Sequence, residues 1–572
     1  MATGLQHGFA IGDCRVRPSE NLIVNGDGEQ RVEPKSMAVL LELAAAGTDT
    51  VSREALIDAV WQRVYVTDHV LNRAISQLRT ALGDQPQNSR YIVTVPRKGY
   101  RLATPVEGPT EKTADGVLVL PFQNLAAHGR DEYLADGLTE LLIARLAVAM
   151  DLRVISRSTS MSFKGKQPDM AVLHGKLGIR WVIEGSLLQL GDKLQIVVQL
   201  IDAAQDAHTW AETWARPAGD ILSVLNEVTR HISTQINARL AEPAAAPVET
   251  EALPDELMRR YLQGMHHASR RSEASLRQAM ACFADVLDAR PDHAPALAGM
   301  AFCHMLLVHY SAEAAEVGIP KVREFSERAL AVDPHNADAM GHLAAVSFFH
   351  DWDFQRAMEL IQSALSIKPN LEMMMILAAN VNLVSGRYEQ SQALVDKAVL
   401  SDPLNVGLLM NAGDLLILQR RYGEAIQCLS QALELEPGMR PACLRMALAY
   451  ALDRKHDEAA GMLRQAESMV AIDGPYLEYR ALVASEAGNH AAAHASAGEL
   501  QDLASGGGEI RPWSLARAWA AAGDADRAIE NLEEAYRQRS SSMPFLEQTP
   551  ALRSIRNRPE VRDLMKRVGI PV

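Results

Sequence analysis

Tyr91-Ile-Val-Thr-Val-Pro-Arg-Lys-Gly-Tyr-Arg-Leu102 is the stretch that decides the fold of the N-terminal part of this chain. Two runs that alternate between apolar and polar residues flank Pro96-Arg-Lys-Gly99, which predicts a β-hairpin with two cations at its tip. Just upstream, residues 67–82 have the periodicity of an amphipathic helix with a polar face. The apolar stripe of this helix is Leu71, Ile75, Leu78 and Leu82.

The polar face of that helix carries side chains that form hydrogen bonds. A helix of this kind, followed at once by a basic hairpin, is how many proteins read a major groove and contact the adjacent phosphates. We therefore interpret residues 35–101 as a winged helix-turn-helix and call the hairpin its wing. The candidate DNA-binding residues are Asn72, Arg73, Ser76, Gln77, Arg79, Thr80, Arg97 and Lys98.

The distribution of charge favours this interpretation. The chain has 572 residues and a formal net charge of −14, yet residues 60–101 contain seven cations and two acids, a local balance of +5. An acidic protein with one short basic segment is expected to hold DNA at that segment. The alternative is a small α+β domain with ordinary surface charge, which leaves the order of stripe, polar face and basic hairpin unexplained.

The first hundred residues resemble the OmpR/PhoB-type effector domain of transcription regulators. Residues 76–82, which include Arg79, match its recognition helix, and Thr94-Val-Pro-Arg-Lys-Gly-Tyr-Arg101 matches its wing. Ser52 is expected to be the N-cap of the second helix. The segments that are similar to the N-terminal strands and the first two helices of this family are 9–16, 20–25, 34–44 and 52–61.

Two departures from the family pattern matter. An arginine often follows the Thr-Val pair in that family, whereas this chain has Pro96, so the resemblance assigns the wing contact to Arg97 or Lys98. Two-component members place a phosphoacceptor receiver before this domain, but only about eight residues precede the first predicted strand here. The resemblance therefore implies a one-component regulator whose signal enters through the residues that follow the wing.

The cysteine spacing and the hydropathy pattern are not those of a secreted or a membrane-spanning protein. The five cysteines are scattered without metal-binding spacing, which favours reduced thiols in a cytoplasmic protein. The N-terminus lacks the features of a signal peptide, and no window of 18 apolar, uncharged residues is present. We expect no membrane association and a cytoplasmic location.

Residues 117–240 are predicted to form an α/β sandwich between two linkers, at 103–116 and 241–256. Apolar strand patterns alternate with helical ones, and residues 181–190 and 193–202 form a hairpin across Gly191-Asp192. This domain resembles the TolB-like N-terminal domain of bacterial regulators, a likeness that implies no chemistry. The segments that carry the resemblance are 131–140, 163–165, 183–186 and 199–202.

Residues 257–572 are predicted to be an all-α tetratricopeptide superhelix of about eight helix pairs. Pro334, Pro369, Pro403 and Pro437 end similar runs and are 35, 34 and 34 residues apart, which is the tetratricopeptide period. Stacked helix pairs form a groove that is expected to hold a protein or peptide. The alternative is a spacer without a ligand. An earlier unit ends at Pro291, and its excess residues are expected in a loop at 308–319.

No catalytic pattern is evident, so we expect no enzymatic activity, no cofactor and no metal. His490 and His494 lie four residues apart in a predicted helix, but a third ligand is missing. Together these resemblances imply a multidomain regulator whose architecture is similar to the CadC/HilA type, without a membrane span. We expect an α+β winged helix-turn-helix at 1–102 that binds double-stranded promoter DNA. RNA polymerase and a second copy of the chain are further candidate partners. The competing hypothesis is a scaffold whose N-terminal domain no longer binds DNA.

Overall fold

The computed structural model describes most of the chain and divides it into two compact units, Met1–Asp115 and Gly116–Val572. Arg97, most of the two predicted linkers and the predicted Gly191-Asp192 turn lie outside the described residues. The described residues are 9–18, 21–25, 28–47, 50–61, 68–84, 89–96, 98–104, 106–107, 116–125, 132–149, 152–166, 168–190, 193–217, 221–240, 253–310, 312–368 and 371–571.

The N-terminal unit combines two antiparallel sheets with three helices among its described residues. One sheet has the strand order β4-β3-β2-β1-β8 and the other has the order β5-β7-β6. The elements are β1 (Phe9–Ile11), β2 (Cys14–Arg17), β3 (Leu22–Asn25), β4 (Gly28–Arg31), α1 (Pro34–Ala45), β5 (Val51–Ser52), α2 (Arg53–Trp61), α3 (Asp68–Leu82), β6 (Ile92–Val95), β7 (Gly99–Leu102) and β8 (Val106–Glu107).

The core of this unit confirms the predicted winged helix. All four residues of the predicted stripe on α3 are buried, and they pack with Leu40 and Leu43 of α1 and Leu56 of α2. The hydroxyl of Ser52 accepts a hydrogen bond of 3.1 Å from the amide of Ala55, as expected for an N-cap. Strand β8, inside the segment predicted to be a linker, pairs with β1 and extends its sheet.

The second unit begins with a mixed sheet whose strands β9 and β10 run parallel to β11, while β12 and β13 continue the sheet antiparallel. The indole of Trp181 on β11 is fully buried among residues of α4 and α7. The predicted strand at 152–156 is reduced to one bridge between Val117 and Val154. The elements are β9 (Gly116–Val119), β10 (Gln123–Asn124), α4 (Glu132–Ala149), α5 (Arg157–Ser162), α6 (Met170–Leu177), β11 (Ile179–Leu190), β12 (Lys193–Asp202), β13 (Ala207–Pro217) and α7 (Ile221–Leu240).

Helix pairs make up the described chain from residue 255 to residue 537, which confirms the repeat prediction. Ala412 and Ala425 are fully buried and allow close packing between the two helices of their pair. The helices are α8 (Asp255–Ser269), α9 (Glu273–Ala289), α10 (Ala294–His309), α11 (Ala315–Val332), α12 (Ala337–Val346), α13 (Phe354–Ile367), α14 (Glu372–Val384), α15 (Tyr388–Ser401), α16 (Val406–Leu418), α17 (Tyr422–Leu435), α18 (Arg440–Leu452), α19 (His456–Met469), α20 (Gly474–Glu486), α21 (His490–Ser505), α22 (Pro512–Ala522), α23 (Ala525–Arg537) and α24 (Pro559–Val568).

The extra residues of the early repeat do not form the long loop expected at 308–319. Helix α10 continues to His309 and α11 starts at Ala315, so the additional length lies mainly in helices. The spacing between Pro291 and Pro334 reveals extra residues but does not show whether they form a loop or extend the helices. Pro320 lies inside α11, in its second turn, and the helix continues through it although proline removes one N–H donor there.

The mixed sheet and the first repeats share one hydrophobic core. A Cβ added to Gly137 on α4 would lie 2.7 Å from the Leu262 side chain of α8, so these two helices approach closely. The Asp136 carboxylate contacts His266 Nδ1 at 2.8 Å and accepts a hydrogen bond of 2.6 Å from Lys164 Nζ. The two predicted domains therefore pack as one unit.

A second contact joins α5 to the loop between α15 and α16. The fully buried carboxylate of Asp402 accepts hydrogen bonds from the hydroxyls of Ser156 and Thr159, the latter at 2.7 Å. Arg153 donates to the carbonyl oxygen of Leu400 at 2.9 Å. The sheet is thus attached to the repeats at two places that are far apart in sequence.

The C-terminal segment, residues 536–570, packs back across the ends of earlier helices. The ring of Phe545 lies 5.8 Å from that of Phe348, and Tyr536 lies 5.2 Å from Trp352. The guanidinium of Arg553 forms an ion pair with Glu486 at the end of α20. Residues of the chain itself therefore cover part of the surface that the repeats offer.

Glu372, at the start of α14, is expected to make the stability of the repeats depend on pH. Burial raises the pKa of its carboxyl to about 7, and the carboxylate of Asp402 adds to this shift. The folded-state pKa of this carboxyl lies above the ordinary value of 4.5. Its contribution to the stability of the folded repeats is therefore complete below pH 4.5 and is lost as the pH rises through about 7.

Glu372→Gln should therefore stabilise α14 at about pH 8, by about 1–2 kcal/mol after allowance for solvent screening, and should have little effect at about pH 4.5. Hydrogen exchange of the α14 amides at both pH values measures this difference. The exposed Glu389 of α15 gives the matched control, Glu389→Gln. Equal effects of the two substitutions at the higher pH would contradict the prediction.

Candidate nucleic-acid interface

The outward face of α3 is polar, as the sequence predicted. Asn72, Arg73, Ser76 and Thr80 are exposed on it, and the side chain of Arg73 is 79% exposed. The other two candidates on this helix, Gln77 and Arg79, are half-buried. The helix therefore separates the predicted set into an exposed group and a group that contacts neighbouring elements.

Asn72 connects three elements of the N-terminal unit. Its Oδ1 accepts hydrogen bonds from the guanidinium of Arg53 on α2, at 3.1 Å, and from the Tyr100 hydroxyl on β7, at 2.8 Å. The Arg53 guanidinium also lies over the Tyr100 ring, 4.9 Å from its centroid. This arrangement fixes the orientation of an exposed amide at the junction between α3 and the wing.

Gln77 holds the start of α1. Its Oε1 accepts a hydrogen bond of 2.6 Å from the Ser36 hydroxyl and another of 3.3 Å from the backbone amide of Glu33. The Glu33 amide belongs to the N-terminal end of α1, where N–H groups have no partner within the helix. The Glu33 carboxylate also forms an ion pair of 2.9 Å with Arg73.

Arg79 fastens α3 to the first strand of the wing. Its guanidinium donates to the carbonyl oxygen of Ile92 and to Oγ1 of Thr94, both at 2.8 Å. These contacts use donors that the sequence-based hypothesis assigned to DNA. Arg79 therefore positions the wing in this structure. The amphipathic pattern could not reveal this role, because it shows on which side of the helix a residue lies but not which residues it contacts.

The wing is a hairpin formed by β6 and β7. Val95 pairs with Gly99, and the amide of Lys98 donates to the carbonyl oxygen of Val95 at 3.0 Å, which closes the turn. The Lys98 side chain is exposed at the tip. Gly99 has a φ of +150°, and a Cβ at this position would lie 1.9 Å from the Val51 carbonyl oxygen of β5. Glycine is therefore needed where the wing crosses the short strand before α2.

Asp84 is a positioning residue that sequence reasoning missed. Its buried carboxylate accepts hydrogen bonds from the backbone amides of Arg90, Tyr91 and Ile92 at 2.6, 3.2 and 2.8 Å. These bonds tie the end of α3 to the start of β6. An aspartate directly after Gly83, at the end of a helix, was the available signal, because such positions often bind nearby amides.

The described residues contain no cluster of three or more His, Cys, Asp or Glu placed to hold a metal ion. The ring of His494 lies 5.3 Å from that of Trp519. Burial raises the pKa of the Cys14 thiol, so this group stays protonated at neutral pH. No helix in the described part of the chain has the length and apolarity needed to cross a bilayer.

Three family models match this chain. Residues 27–102 match the family described as transcriptional regulatory protein, C terminal, and residues 115–228 match the second domain of HilA/YgeH-like transcriptional regulators. Residues 376–440 match the tetratricopeptide repeat. The predicted OmpR/PhoB-type domain and the predicted repeats are thereby confirmed.

Curated relatives match to different extents. Over 124 residues the chain is 39% identical to a Rhizobium meliloti protein that is named as an adenylate cyclase, and over 110 residues it is 36% identical to the transcriptional activator CadC of Escherichia coli. These matches cover 22% and 19% of this chain, and the chain spans 21% and 22% of the two relatives. The transcriptional regulator HilA of Salmonella typhimurium is 20% identical over 479 residues, which are 80% of this chain and 85% of that protein.

Proposed function

We propose that this chain, which carries the DNA-binding domain of OmpR/PhoB-type regulators, controls transcription by binding double-stranded promoter DNA through α3 and the wing. The observation that carries the proposal is the exposed polar and cationic face of α3, next to a wing with Lys98 at its tip. Winged helix-turn-helix proteins use such a helix for bases and such a hairpin for phosphates. The names of CadC and HilA as transcription regulators support the same function.

The eight candidate residues take different roles in this proposal. Asn72, Arg73, Ser76 and Thr80 contact base edges, because they are the exposed members of the set on α3. Lys98 and Arg97 contact the phosphate backbone. Gln77 and Arg79 act mainly by holding α1 and the wing in place, since each already binds a neighbouring element.

The second unit supplies the regulatory input in this proposal. The mixed sheet is a TolB-like domain, and the repeats bind a protein or peptide on a surface that the C-terminal segment leaves open. Contact with RNA polymerase and pairing of two chains on one promoter extend the same function. The proposal places the protein in the cytoplasm, where bacterial DNA lies, and assigns it no catalytic reaction.

Removal of Arg73 or Lys98 tests the proposal. Arg73→Ala should weaken binding to the selected site by about 1–3 kcal/mol and relax sequence preference. Lys98→Ala should weaken binding to all duplexes alike and reduce the slope of log K against log salt by about 1. Fluorescence anisotropy with labelled duplexes over a range of salt concentrations measures both effects.

The exposed Lys166 of the second unit gives the matched control, Lys166→Ala, which should bind like the parent. If neither Arg73→Ala nor Lys98→Ala differs from this control, α3 and the wing are not the DNA-binding surface. If the parent itself shows no salt-dependent binding to any duplex, the scaffold hypothesis is favoured instead.

A further inference from the structure

Two side-chain amides at the DNA-facing helix have their carbonyl oxygens turned inward. Asn72 Oδ1 faces the Arg53 guanidinium and the Tyr100 hydroxyl, while Gln77 Oε1 faces the Ser36 hydroxyl and the Glu33 amide. Arginine and backbone N–H groups only donate hydrogen bonds. The chemistry of the partners therefore fixes which end of each amide is the oxygen.

Both oxygens are saturated by these contacts. A carbonyl oxygen has two lone pairs, and each of these two oxygens accepts two hydrogen bonds inside the protein. Within the described part of the chain, neither the Asn72 nor the Gln77 amino group donates to a protein atom. A rotation of the Asn72 amide by 180° would turn its amino group toward two donors, and both hydrogen bonds would be lost.

A fixed amide of this kind reads bases differently from a free one. A free asparagine binds adenine with two hydrogen bonds, because its oxygen accepts from N6 and its nitrogen donates to N7. A saturated oxygen cannot accept from N6, so adenine keeps only the hydrogen bond from the amino group to N7 and loses the second. Guanine offers acceptors at both N7 and O6, which suit an amino group with two N–H donors.

We infer that Arg53 and Tyr100 hold Asn72 as a pure donor, so that the purine it contacts is guanine and not adenine. The inference rests on the proposed DNA binding and deepens it. Arg53 and Tyr100 act through Asn72 and are positioning residues for specificity. Gln77 is held in the same sense by Ser36 and Glu33, but it is less exposed, and Asn72 carries the test.

The test begins with selection of duplexes from a random library by the full chain and by Asn72→Ala. The base pair whose preference disappears in Asn72→Ala is the one that Asn72 contacts. At that position, the parent should bind guanine about tenfold more tightly than adenine. Paired duplexes that differ only in this base pair then give the ratio of the two dissociation constants for each variant.

Tyr100→Phe frees one lone pair of Asn72 Oδ1 and should reduce the guanine-to-adenine ratio several-fold, and Arg53→Met, which frees the other, should act in the same direction. Tyr91→Phe is the matched control, because it makes the same change at a tyrosine that does not contact Asn72. A ratio of affinities separates this role from a loss of stability, which would weaken binding to both duplexes equally.

A preference of the parent for adenine at the Asn72 position overturns the inference, as does an unchanged ratio in both Tyr100→Phe and Arg53→Met. In either case, the salt-dependent binding of the parent leaves the proposed function intact. Absence of any duplex binding by the parent overturns the proposed function and this inference together.

Discussion

Replacement of Gly99 by alanine is expected to destroy the wing. A Cβ at this position would lie 1.9 Å from the carbonyl oxygen of Val51 and 2.9 Å from Cα of Ser52, and both obstacles are backbone atoms that cannot rotate away. The φ of +150° is also a conformation that alanine rarely adopts. Strand β5 would have to separate from β7, where Ser52 pairs with Gly99. We expect a loss of more than about 3 kcal/mol in the stability of the wing.

Hydrogen exchange of the β6 and β7 amides in the full chain measures this loss, and duplex binding should fall with it. Gly47→Ala is the matched control, because Gly47 also has a positive φ, +62°, but no atom lies within 4 Å of an added Cβ. Its cost should be limited to the backbone strain, about 1 kcal/mol. Parental protection of β7 in Gly99→Ala would show that the close crossing of β5 and β7 is wrong.

Removal of the Asp84 carboxylate is expected to have the next largest effect. Asp84→Ala would leave the amides of Arg90, Tyr91 and Ile92 without their acceptor, and two of these residues are buried. Hydrogen bonds to a charged group are among the stronger ones in proteins, so the loss should reach about 3 kcal/mol or more. Asp84→Asn keeps one acceptor oxygen and should fall between Asp84→Ala and the parent.

The exchange rates of the β6 amides measure this effect, with Asp13→Ala as the control. Asp13 forms an ion pair with Arg90 in the same region, but its side chain is 81% exposed and its removal should change little. If Asp84→Ala and Asp13→Ala have equal exchange rates at Tyr91 and Ile92, Asp84 does not anchor the wing.

The sequence predicted the elements of the N-terminal unit well because each has a strong local pattern. The stripe on α3 and the alternation in the wing both reflect burial along one element, and the structure buries the same residues. The sequence could not predict which residues of different elements contact each other. Gln77 and Arg79 share the polar face with Asn72, yet they bind α1 and β6. Periodicity gives the direction of a side chain but does not say what lies opposite it.

Short elements were missed for a related reason. Strand β8 has two residues and lies beside Pro105, so no alternation could develop, and it forms only because β1 offers a free edge. Helix α5 has six residues and is held by Asp402, which lies more than 240 residues away in sequence. Contacts of such long range cannot be inferred from the pattern of a single segment.

The shared core between α4 and α8 has a consequence for how this architecture can be cut and recombined. The family model of the second domain ends at residue 228 and the repeat model starts at residue 376, so neither includes Leu262 or His266. A chimera that joins the sheet to foreign repeats would expose the apolar surface around Gly137 and leave Asp136 without its histidine partner. Asp402 also binds α5, so exchange of modules between such regulators should preserve residues 116–405 as one inherited piece, with crossovers before the sheet or after this loop.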